Sequence, residues 1–125
     1  TNPWIHYLGP IFDSRRVPFF AISKLFLMPG AVGLSVLDSF TLEVPMVTIF
    51  GSDHGPEIAY LENEINGKIL NIKSSPEDYA NEVARLLLDD VAREKLVNGC
   101  KVSREKYTVE TMVSNFTEGV LKALT

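Results

Sequence analysis

The sequence predicts an α/β domain built on a parallel sheet, and three observations carry that expectation. Short runs that are apolar throughout, residues 25–28 and 44–50, alternate with segments whose apolar residues recur at helical spacing. Strands buried on both faces read this way because helices cover the two sides of a parallel sheet. Each apolar run also breaks into a glycine-bearing loop, as a βα connection requires. Finally, 125 residues of which 46% are hydrophobic and 22% charged suit one modest core, and argue against disorder.

Taken in order, residues 4–8 (Trp-Ile-His-Tyr-Leu) followed by Gly9-Pro10 predict a short strand closed by a turn, with His6 a strand residue. Residues 13–22 predict a brief helix capped by Asp13 or Ser14, with Pro18 tolerated in its first turn. A buried strand follows at 25–28. A helix over 33–42 comes directly after the glycines, with Leu34, Leu37 and Thr41 on one side. The next strand covers 44–50, where Pro45 sits at the start and its missing N–H does least harm. Pro56 and Glu57 suit the first turn of a helix running to about residue 62, Asn66-Gly67 is a turn, and 68–72 is a last short strand. Ser75-Pro76-Glu77-Asp78 combines a capping hydroxyl, a first-turn proline and acids at the positive helix end. The helix behind it aligns Tyr79, Val83, Leu86 and Leu87, and a further helix covers 90–106. The last helix puts Val109, Met112, Val113, Phe116, Val120, Leu121 and Leu124 on one stripe, a face that calls for a core.

Bulk composition removes several function classes. A net charge of −4 provides no broad basic face, so nucleic acid is not an expected partner. The one cysteine, Cys100, excludes an internal disulfide, fits a reducing cytoplasm and, lying mid-helix, reads as a structural thiol. No apolar run approaches the roughly 20 residues that span a bilayer. No Gly-x-Ser-x-Gly elbow and no metal-ligand cluster is visible. Opening on Thr1 and entering an apolar run almost at once, the chain reads as a single partial domain, residues 1–125 of something longer.

Ligands of open parallel sheets sit beyond the carboxyl ends of the strands. Three loops qualify there: 29–33, 51–56 and 9–13. The first sets Pro29-Gly30-Ala31-Val32-Gly33 between a strand and a helix start, so backbone N–H groups face outward where a phosphate could approach. Its spacing is neither the three-glycine dinucleotide fingerprint nor a P-loop, and a tight turn needing small residues for packing is the alternative. Asp38, early in the helix that follows, has the chemistry to accept two hydrogen bonds from a vicinal diol such as a ribose, or is an ordinary solvent-facing helix acid. Asp53, His54 and Glu57 form the second polar cluster, with His54 open to a diphosphate or sugar contact or to a plain loop role. Arg15-Arg16 reads as a surface pair, with phosphate or an acidic membrane surface as the alternatives.

Four stretches in sequence, "IHYLGPIFD", "LFLMPGAVGLSVLDSF", "VPMVTIFGSDHGPEIAYLENEINGKIL" and "SSPEDYANEVARLLLDD", resemble the C-terminal half of a group 1 (family four) retaining glycosyltransferase of the GT-B architecture. The likeness runs from about Trp4 to the last helix. It implies a partial Rossmann-like donor domain, in which the glycine-rich turn, here Gly30, Ala31, Val32, Gly33 and Leu34, puts backbone amides on a nucleotide-diphospho-sugar donor. The family's helix carries two glutamates separated by seven residues. The second, which grips the ribose diol, falls on Asp38. The first, on the sugar side, falls on Gly30 and is missing, so His54, Glu57 or Asp53 are the residues left to compensate.

On this resemblance the parent enzyme transfers a sugar to an acceptor hydroxyl (of a sugar, a lipid-linked carrier or a polysaccharide) with retention of configuration, needs no cofactor or metal, and serves polysaccharide or glycoconjugate synthesis. It is expected in the cytoplasm, at most peripheral to the inner face of a membrane. The acceptor domain and the first two strands of the donor domain would lie upstream of Thr1, which leaves this piece inactive alone. Those absent strands would also leave the segment at 4–8 at an odd sheet edge, where self-association is expected. A sugar-nucleotide epimerase of the same architecture and a non-catalytic nucleotide-binding module are the rival readings.

Overall fold

The computed structural model describes residues 2–51 and 53–125. After a 3₁₀ turn at Asp13–Arg16 and the short helix α1 (Val17–Ala21), the order is β1 (Phe26–Leu27), α2 (Ser35–Thr41), β2 (Met46–Ile49), a 3₁₀ turn at Pro56–Tyr60, β3 (Gly67–Leu70), α3 (Pro76–Leu88), α4 (Asp90–Lys106) and α5 (Val109–Leu124). Among the described residues the strands form one sheet in the order β1-β2-β3, parallel throughout, with Phe26 beside Met46 and Met46 beside Gly67. The α/β class and the parallel sheet flanked by helices are therefore as expected, an arrangement consistent with a Rossmann-like fold.

Period-two alternation along β2 sends neighbouring side chains into separate cores. Met46 joins Val32, Val36, Phe40, Leu61 and Cys100 on one face. Val47 joins Leu70, Leu86 and Leu96 on the other. α2 covers the first face, α3 the second, and α4 reaches both through Cys100 and Leu96. Phe40 and Met46 are fully buried, each stabilising the fold by about 1.5–3 kcal/mol relative to exposure. The Tyr79 hydroxyl of α3 donates to the Val47 carbonyl at 2.7 Å, and burial pushes that phenol up to about 12. The same carbonyl accepts the Met28 amide at 2.9 Å, so Tyr79 braces the β1–β2 pair where the chain leaves β1.

Local signals hold where chemistry is local. Ser75 and Asp78 close a reciprocal capping box at the start of α3, with Pro76 in its first turn. α4 occupies the span expected of it. Other expectations change. Residues 4–8 form no strand; Trp4, Tyr7 and Leu8 stand exposed, because a strand exists only as one side of a ladder and no described strand pairs with them. β1 shortens to two residues, and the segment after Gly55 tightens into a 3₁₀ turn instead of an α-helix. α2 starts at Ser35, two residues past Gly33, whose φ of +50° the α-helix does not admit. α5 forms as an amphipathic helix, yet none of its residues is buried and Phe116 is 73% exposed, so the expected core contact is not made among the described residues. No helix among the described residues is long and apolar enough to cross a membrane.

Candidate functional site

The carboxyl ends of β1 and β2 release two loops side by side, and there the turn at 30–33 meets His54. Gly30 and Gly33 present themselves to open space, since a Cβ built on either meets nothing within 4 Å. Gly33 needs to be glycine for its own backbone, because a side chain at φ +50° is strained whatever surrounds it. Ala31 and Leu34 are exposed, Leu34 at the N-cap of α2 with no side-chain cap bond. Val32 is different: the residue is buried, backbone included, with its side chain in the core, so it anchors the turn.

That backbone has a partner. The Val32 amide donates to His54 Nδ1 at 3.3 Å, and the other ring nitrogen, Nε2, lies 2.7 Å from the Ile49 carbonyl. An amide only donates and a carbonyl only accepts, so the geometry requires a neutral imidazole with its proton on Nε2. His54 thus bridges the turn after β1 to the end of β2. One of the amides expected to face a ligand is already committed.

Asp38 is held as well. Arg16 Nη1, from the 3₁₀ turn at Asp13–Arg16, lies 2.8 Å from its Oδ2, with the carboxylate about one-quarter exposed. A carboxylate offers about four lone-pair sites, so Oδ1 keeps acceptor capacity. Sequence reasoning left Arg16 as a surface cation. Only the fold of the preceding segment carries it to Asp38, and no spacing rule would have found the pair. Glu57 is half-buried in the 3₁₀ turn, its carboxylate curled over Gly55 so that a Cβ there would collide with it. Asp53 is exposed beside His54. The third predicted loop, at residues 9–13, contributes the positive φ of Gly9 and Asp13 just ahead of the Arg16 turn.

What the fold and site define is an α/β domain with two βα loops meeting at one end of a parallel sheet. They are joined by a histidine, and the helix that follows the first loop carries Asp38, paired with the exposed Arg16. The polar groups there are turn backbone, one imidazole, one guanidinium and carboxylate acceptors. Comparison with known proteins finds no matching family model and no matching curated protein.

Proposed function

We propose that the chain is the donor-binding part of a retaining glycosyltransferase of the GT-B architecture, and that the crevice beyond β1 and β2 takes a nucleotide-diphospho-sugar. The observation that supports it most is the meeting, at the carboxyl end of the sheet, of the glycine turn at 30–34 with His54, ahead of the helix that carries Asp38. These are the pieces, in the same chain order, on which the resemblance rests.

In this reading an acceptor hydroxyl attacks the anomeric carbon, a nucleoside diphosphate leaves and configuration is retained. The backbone of Gly30, Ala31, Gly33 and Leu34 lies against the diphosphate, where fixed dipoles lower the energy of charge developing on the leaving group. Asp38 accepts the ribose hydroxyls through Oδ1 while Arg16 holds Oδ2 in place. Arg16 also offsets part of the repulsion that a carboxylate presents to an anionic ligand. Glu57 bounds the donor side.

Calorimetric titration of the chain with uridine, guanosine and adenosine diphosphates tests the proposal. One of them is expected to bind, and Asp38→Asn is expected to weaken that binding by about 1–3 kcal/mol, the scale of a lost charge-assisted hydrogen bond. Absence of binding by all three, or undiminished affinity in a folded Asp38→Asn protein, refutes it.

A further inference from the structure

We infer that His54 is a proton-controlled staple of the turn at 29–33, holding it in place while neutral and releasing it when protonated. The turn is a positioned element only because something outside its own short span fixes it. α2 behind it is a seven-residue helix, and Gly30 and Gly33 leave its backbone the most freedom of any residue type. Three anchors reach it: the Val32 side chain in the core, the Ser35 hydroxyl donating to the Val32 carbonyl, and the Val32 amide on His54 Nδ1. The anchor on His54 is conditional. Nδ1 can accept the amide only while it carries no proton, since a protonated imidazole has a donor on both nitrogens. Protonation then sets N–H against N–H at a separation of 3.3 Å. The Ile49 contact survives, because Nε2 donates in either state. The ring stays on β2 and the turn is what moves.

The charged groups around the ring bear on where this happens. Asp53 and Glu57 lie on its own loop, Asp38 with its Arg16 partner on the elements following and preceding the turn, and the Tyr79 hydroxyl on α3 below β1 and β2.

As a regulator of ligand binding, this inference rests on the proposed use of the turn to hold a diphosphate, but the staple itself is measurable without any ligand. It also makes the opposite prediction to a direct contact. A histidine touching phosphate binds it better when protonated, whereas a staple binds it worse. Imidazole ¹⁵N spectra of the 125-residue chain at pH 8 are expected to show the proton on Nε2. The Val32 amide resonance is expected to move together with the His54 ring resonances as the pH is lowered. Titration with inorganic pyrophosphate is expected to show threefold or greater loss of affinity between pH 7.5 and 5.5.

That loss is measured relative to His54→Gln, whose amide oxygen and nitrogen reproduce the acceptor and donor without titrating. His54→Ala is expected to bind weakly at both pH values. A proton on Nδ1 at pH 8, a Val32 amide indifferent to His54, or an affinity that rises in acid relative to His54→Gln overturns the staple. If no protein binds pyrophosphate at pH 7.5, the diphosphate reading falls while the two spectroscopic results still decide the staple.

Discussion

Replacing Gly99 by alanine should destabilise the protein although the same change favours the helix it sits in. α4 crosses the turn at 62–67 with Gly99 at the closest approach. A Cβ there would stand 2.6 Å from the Ile65 carbonyl carbon and 2.9 Å from the Asn66 Cα, and nearer still to the Ile65 oxygen. All three obstacles are backbone, and that backbone is tied down. Ile65 and Asn66 both donate to the Glu62 carbonyl at 3.1 Å. Asn66, fully buried, accepts the Glu62 amide at 2.7 Å and donates to Tyr60 and Ser103 at 3.0 and 2.9 Å. Cys100 adds a bond to the Asn66 carbonyl at 3.2 Å. Relief of the clash therefore moves α4 off the turn and strains this network.

Overpacking of this kind costs about 1–3 kcal/mol, against about 1 kcal/mol of helix propensity gained on going from glycine to alanine. The net loss is about 0–2 kcal/mol, toward the upper end because every obstacle is backbone, or a melting temperature lower by up to about 8 °C for a chain of this size. Gly119→Ala in α5 is the matched control. Its Cβ meets nothing within 4 Å, so only the propensity term acts and helicity at 222 nm should rise. Thermal and urea denaturation followed by circular dichroism read both. A Gly99→Ala protein melting at or above the wild type would falsify the close-approach argument.

Thr48 is fully buried in β2, and its hydroxyl has no hydrogen-bond partner among the described residues, so Thr48→Val should stabilise by about 1 kcal/mol, moving the urea midpoint upward at unchanged slope; a lower midpoint would show that the hydroxyl is satisfied in solution. Burial pushes the Cys100 thiol up to about 12, so the native chain at pH 8 holds almost none of the reactive thiolate and should resist Ellman's reagent until urea unfolds it, while rapid labelling of the folded protein would contradict the packing of α4 on Asn66.

What the sequence determined alone are the features whose causes lie within a few residues. The Ser75–Asp78 capping box starts α3 where its hydroxyl, proline and acid predict, because a cap is satisfied by the next turn of the same helix. The stripe along α5 likewise specifies an amphipathic helix. The alternation of apolar runs with helical segments yields a parallel sheet because only helix-covered strands are apolar on both faces.

Tertiary structure decided everything that depends on a distant partner. The run at 4–8 has strand composition but no ladder, and composition cannot supply one. The α5 stripe states that an apolar face exists, not that it is covered. At the candidate site the residues were legible one by one, but their commitments were not. His54 holds the Val32 amide 22 residues away, and Arg16 holds Asp38 across the sheet edge. A hydrogen bond or ion pair of a few ångströms is set by the path of the whole chain, and the residue types at its ends are common enough to pair in many other ways.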